Sequence, residues 1–226
     1  MSGRLIAAES LSRRTWMRHC SLILAGWSGS GLAASGAVIL VVGDSLSAEY
    51  GIARGSGWVA LLQQRMDQER RGVQVVNASI SGDTTAGGRS RLNALLQQHK
   101  PTHVIIELGA NDALRGLPIT STRENLTAMT RAAQATGAHV LLVGMQVPPN
   151  YGKAYTESFA GVFVEVTQAT KAALVPFLLK GVADSPRADE LFQTDRIHPK
   201  EAAHPIMLDN VWPILVRLLP RTAPAR

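Results

Sequence analysis

Four short, mostly apolar runs recur along the chain, at residues 38–42 (VILVV), 73–77 (VQVVN), 103–108 (HVIIEL) and 139–143 (HVLLV), with a fifth at 174–177. The first four read as strands of a sheet covered on both faces. Between them, residues 58–70, 89–99, 122–136 and 155–172 carry apolar positions at helical spacing, and 201–219 closes the chain with another such segment. Strands alternating with helices predict a parallel sheet with right-handed crossovers and helices on both sides. The expectation is one three-layer α/β/α, flavodoxin-like domain with a five-stranded parallel sheet over residues 36–226. No repeat, linker or second composition regime interrupts it.

Composition supports that reading and narrows the chemistry. With 226 residues, 46% hydrophobic and 18% charged, the chain can bury one good core and does not have the makeup of a disordered protein. The net charge of +6 points less toward nucleic acid than it first suggests, because Arg4, Arg13, Arg14 and Arg18 stand against Glu9 alone before residue 36. The remainder holds 19 basic and 16 acidic residues, with no basic stripe interleaved with aromatics, so no nucleic-acid partner is expected.

Residues 1–35 read as an export signal: a basic stretch, an apolar stretch over 20–34, and small residues through Ala37. The apolar part is too short and too rich in glycine to span a bilayer, so no stable membrane insertion is expected. "SRRTWMR" at 12–18 resembles a twin-arginine signal, the other reading being the basic region of a general secretory signal. Cys20 lacks the flanking pattern of a lipid-anchor site and is the sole cysteine. A processed chain would therefore have no disulfide, no thiolate metal site and no cysteine nucleophile. The expected location is periplasmic or secreted, and the expected state is a monomer.

Loops at the carboxyl edge of a parallel sheet converge however distant they are in sequence. The first strand runs into "VVGDSLSAEYG", which carries Ser45, and the second into "ASISGDTT", which carries Gly82. The third runs into "ELGANDALRG", with Asn111 and Asp112, and "TDRIHP" before the last helix holds Asp195 and His198. Together these residues suit serine-mediated acyl transfer. A serine hydroxyl needs a neutral imidazole to take its proton, His198 here, and the imidazole needs a carboxylate to orient it, Asp195 here. The developing oxyanion needs fixed donors, for which Ser45 N–H, Gly82 N–H and the Asn111 amide are candidates. A histidine base also implies a rate that declines in acid, through the imidazole range.

Each piece has a plainer reading. Asp44 and Ser45 could cap a following helix, Asn111-Asp112 and Gly82-Asp83 could be turn pairs, and Asp195 to Pro199 could open the last helix. Four such pieces at four strand ends, in chain order, favour the site.

The blocks "GDS", "SGDT", "GAND" and "DRIHP" resemble, in order, those of the SGNH hydrolase superfamily. "GDSLSAEYG", "NASISGDTT", "ELGANDALRG" and "PPNYG" are more narrowly similar to its bacterial thioesterase I/protease I/lysophospholipase group, also called arylesterases. The resemblance covers residues 37–219. It implies Ser45 as nucleophile, His198 as base, Asp195 as triad acid, and Gly82 and Asn111 as oxyanion donors alongside Ser45. It further implies an acyl pocket shaped by the segment from Leu114 to Pro118, with Pro148 and Tyr151 on a second edge.

Two features depart from the group: Glu49 stands where glycine is frequent, and residues 181–194 align only loosely. The sequence has no G-x-S-x-G elbow, no H-E-x-x-H pair and no phosphate-binding glycine loop, so neither metal nor cofactor is expected. Of the remaining histidines, His204 is the one to test as a substitute base, while His99, His103 and His139 read as structural or solvated. The expected substrates are small carboxylic esters, acyl thioesters or lysophospholipids. A carbohydrate O-deacetylase with the same triad, or a binding module without catalysis, stands as the alternative.

Overall fold

The computed structural model describes residues 36–220, and the expected export segment, Cys20 included, lies outside the described residues. β1 (Val38–Gly43) is buried from its second residue onward and lies between β2 (Gln74–Asn77) and β3 (His103–Glu107). β4 (His139–Val143) and β5 (Ala173–Val175) complete an all-parallel sheet in the order β2-β1-β3-β4-β5. The chain reverses its direction of travel across the sheet at β1 and β3, and open α/β sheets hold their ligands at such a switch point. The register sets Gly43, the last residue of β1, beside Glu107, the last of β3.

α1 (Trp58–Gln68) packs with α7 (His204–Leu218), while α2 (Thr85–His99), α4 (Ile119–Ala135) and α5 (Lys153–Thr170) form a second row, giving the three-layer α/β/α architecture. Ile39, Leu40, Ile105, Ile106 and Leu142 are wholly buried between these layers. No helix among the described residues is long and apolar enough to cross a membrane.

The departures from the sequence pattern have local causes. β2 is an edge strand with Gln74 and Asn77 exposed and Val75 and Val76 half-buried, so it is not covered as the other strands are. β5 stops before Pro176, which has no N–H to continue the ladder. α2 starts four residues earlier than its apolar spacing indicates, because Thr84 caps it by accepting the Gly87 N–H and the weak helix formers Gly87 and Gly88 lie inside. Gly88 lets the helix lie close to the sheet, since a Cβ there would fall 2.3 Å from Leu108 Cδ1. Asn111-Asp112 is not a free turn pair but the middle of a short helix, α3 (Ala110–Leu114), and a further short helix, α6 (Ala188–Leu191), lies in the loosely aligned segment. The last segment opens with a 3-10 turn (Glu201–Ala203) before α7 begins.

Candidate active site

Beyond β1 the chain folds into a tight turn governed by Asp44 rather than by Ser45. The Asp44 carboxyl is buried, its Oδ1 accepts the Leu46 N–H (3.0 Å), and its backbone carbonyl accepts the N–H groups of Ser47 (3.2 Å) and Ala48 (3.0 Å). Ser45 caps no helix. Its Oγ donates to His198 Nε2 at 2.9 Å.

His198 Nδ1 in turn donates to Asp195 Oδ2 at 2.6 Å. Asp195 does not open the last helix; its Oδ1 folds its own loop by accepting the N–H groups of Ile197 (2.9 Å) and His198 (3.0 Å). What burial it has would raise its pKa, but the bonds from His198 and Ile197 and the imidazole charge outweigh that and hold it down to about 2. The two nitrogens of one imidazole thus join a hydroxyl on the first turn to a carboxylate near the end of the chain. The Tyr50 ring lies against that imidazole, centroids 4.3 Å apart and tilted by 39°.

Gly82 and Asn111 enter from the next two strands. Gly82 has φ +78°, a conformation that side chains disfavour, and its carbonyl accepts from Arg115 Nη2 at 2.8 Å. Neither the Ser45 N–H nor the Gly82 N–H donates to any described residue. The Asn111 amide nitrogen, by contrast, donates to Asp44 Oδ2 and to the Asp83 carbonyl, both at 3.0 Å.

Beneath the turn lies a polar layer that motif reading missed. Glu107 is fully buried at the end of β3, and its Oε2 accepts from Ser47 Oγ (2.7 Å) while the Trp58 indole donates to that same hydroxyl (3.2 Å). Its Oε1 finds no partner among the described residues. Burial, reinforced by the nearby Asp44 charge, pushes the Glu107 carboxyl well above the carboxylate range. Burial also raises Asp44, to about 6, against the lowering effects of the Leu46 bond, the His198 charge and the Asn111 bond. One acid inside the apolar run "HVIIEL" was the available signal.

Glu49 and His204 serve the scaffold. Glu49 adopts φ 60°, which accounts for glycine suiting this position, and its carboxylate turns into its own loop to accept the N–H groups of Gly55 and Gly57, both at 2.9 Å. His204 is buried, with Nδ1 accepting the Trp58 N–H (3.0 Å) at the start of α1, so it is not placed to substitute as a base at Ser45. Leu114 and Tyr151 are exposed, and the Tyr151 ring stacks on Tyr155 (6.1 Å), whose hydroxyl reaches the Ala113 carbonyl (3.5 Å). Pro118 and Pro148 are exposed too, but their carbonyls serve local turns: Pro118 starts α4, and Pro148 accepts the Tyr151 N–H.

A parallel sheet in this strand order, with a serine, a histidine and an aspartate hydrogen-bonded in line at its carboxyl edge, defines an SGNH-type α/β/α hydrolase. The chain belongs to the GDSL-like lipase/acylhydrolase family, whose profile matches residues 41–206. It is 52% identical to the esterase TesA of Pseudomonas aeruginosa over 186 residues, 82% of this chain and 91% of that protein. It is 38% identical to thioesterase 1/protease 1/lysophospholipase L1 of Escherichia coli K12 over 177 residues, 78% of this chain and 82% of that one. A crystal structure of TesA superposes with a TM-score of 0.78 at 52% identity, covering 80% of this chain and 99% of that chain.

Proposed function

We propose that the protein is an exported, cofactor-independent hydrolase of carboxylic esters, extending to acyl thioesters and lysophospholipids, that works through an acyl-serine on Ser45. The observation that carries this reading is the hydrogen-bonded line from Ser45 Oγ through the His198 ring to Asp195. Ser45 Oγ attacks the acyl carbon while His198 Nε2 takes the hydroxyl proton. The carbonyl electrons move onto the oxygen, held by Ser45 N–H, Gly82 N–H and the Asn111 amide. The tetrahedral adduct collapses, the bond to the leaving group breaks, and His198 returns the proton to it. Water then repeats the sequence against the acyl-serine, releasing the acid and restoring the hydroxyl. Asp195, ionised throughout, keeps the imidazole in the tautomer whose Nε2 accepts.

Large exposed apolar side chains on the segments that follow β2, β3 and β4, among them Ile80, Leu114, Leu117 and Tyr151, favour an acyl chain over a sugar as the group bound. The relatives named esterase and thioesterase/lysophospholipase support the same class. Export rests on the basic and apolar pattern of residues 1–35.

The test is a p-nitrophenyl ester series from acetate to palmitate on residues 36–226, with Ser45→Ala alongside. Turnover by the parent chain and none by the variant is the expected result, with the optimum at medium or long acyl chains. Equal turnover by both would remove Ser45 from the mechanism, and activity confined to acetate would favour the deacetylase.

A further inference from the structure

Ser45 and His198 sit 153 residues apart in sequence, on two separate loops, yet must meet within hydrogen-bond reach. Gln193, in the segment that resembles the family least, lies half-buried where those loops touch. Its amide nitrogen donates to the Tyr50 carbonyl (2.9 Å) on the nucleophile side and to the Pro199 carbonyl (3.1 Å) on the base side. Two carbonyls facing one end of the amide require that end to be the nitrogen. The Gln193 backbone N–H donates to the His198 carbonyl (2.8 Å), and Phe192 pairs with Pro199 in an antiparallel bridge.

The nucleophile loop is shaped around this side chain. Gly51 has φ +71°, and a Cβ there would fall 2.3 Å from Gln193 Oε1. Tyr50, whose carbonyl is gripped, donates its N–H to the Ser45 carbonyl (3.4 Å) and lays its ring on His198. The far end of the same loop is fixed separately, by the Ala53 N–H on Glu201 (2.9 Å). Gln193 therefore acts on the end nearest the serine.

We propose that Gln193 is a positioning residue that sets the reach between nucleophile and base. One amide fixes the Tyr50 and Pro199 carbonyls at a common point, and the Tyr50 ring limits how far the imidazole can swing. The proposal rests on the reading of Ser45 and His198 given above. Proton transfer between the two groups is sensitive to small displacement, and an error of about 1 Å is enough to cost on the order of 100-fold in rate. Loss of the amide should therefore slow attack by Ser45 without altering the acyl-binding loops.

The experiment compares Gln193→Met, which keeps the side-chain length, and Gln193→Ala with the parent chain. It follows the rate at which diethyl p-nitrophenyl phosphate modifies Ser45, together with kcat and KM for p-nitrophenyl butyrate and the melting temperature. In the modification Ser45 Oγ attacks phosphorus, p-nitrophenolate leaves and His198 takes the proton, so the rate reports nucleophile activation with no acyl chain bound. Both variants should be slower by roughly 10- to 100-fold in modification and kcat, with KM within about 2-fold of the parent. Tyr50→Ala, which takes the ring away from the imidazole, should be slow as well. Parent rates in both Gln193 variants would overturn the proposal. So would a rate loss that vanishes once the variants are assayed at a temperature where they are fully folded, since the role would then be structural. Modification of Ser45→Ala at the parent rate would instead strike at the reading of the site itself.

Discussion

Asp44 precedes the nucleophile, and its carboxyl stays buried while accepting from Leu46 and Asn111. Burial raises its pKa to about 6 from 3.8, so ionising it costs more in the folded protein than in the unfolded one. The sign follows: a raised carboxyl contributes nothing adverse below about 4 and penalises folding as the pH rises through about 6. Asp44→Asn should therefore gain stability relative to the parent between pH 4 and 7, by on the order of 3 kcal/mol. Urea unfolding of both proteins at the two pH values measures this, and a constant difference would show that burial does not govern the group. The same variant should lose activity, because an amide nitrogen at Oδ2 would face the Asn111 amide nitrogen, donor against donor. Asn111→Ala should lower kcat by ~100-fold or more with little effect on KM if the amide stabilises the oxyanion. A change confined to KM would make Asn111 a binding residue. At this scale the sequence was legible where chemistry and spacing coincide, as in Asp195-x-x-His198. It was opaque for Gln193 and Glu107, whose partners lie far along the chain and leave no local pattern.

Among the elements, α3 is the piece that apolar spacing could not reveal, being five residues long with Asp112 at its centre. That residue explains how the Asn111 segment is held. Asp112 is buried and accepts the Thr85 N–H (2.8 Å) and the Thr85 hydroxyl (2.5 Å), with the Thr122 hydroxyl at 3.5 Å, so it joins the starts of α2 and α4 to α3. Removing it leaves buried donors unpaired, which costs more than the bonds themselves contribute. Asp112→Ala should therefore destabilise the protein by about 3 kcal/mol, read as a lower urea midpoint, whereas Asp112→Asn should cost less because one oxygen remains. Equal midpoints for the alanine variant and the parent would show that α3 is held by apolar packing alone. The strands and long helices were readable because burial imposes periods of two and 3.6 over many residues. Helix starts were less so: α2 begins through the Thr84 cap and two glycines, and α1 with its Trp58 N–H accepted by His204 from far along the chain.

For the molecule as a whole, the described core belongs to residues 36–220, and the chain beyond residue 35 contains no cysteine. Its stability must then come from the buried sheet and the helices on its two faces, with no covalent crosslink to constrain the unfolded chain. Two consequences can be measured together on residues 36–226. The melting temperature should be the same with and without a thiol reductant, and kcat/KM for a p-nitrophenyl ester should match that of the full chain, since Ser45, Gly82, Asn111, Asp195 and His198 all lie within the described unit. The segment removed carries four of the arginines and one glutamate, so the shortened chain falls from +6 to +3 and should elute earlier from a cation exchanger. A shortened chain that folds but turns over ester much more slowly would mean that residues 1–35 contribute to the site, contrary to their reading as an export signal. A shortened chain that fails to fold would assign them part of the core. Full activity would leave them the role that their basic start and apolar middle suggest, that of directing the chain rather than building it.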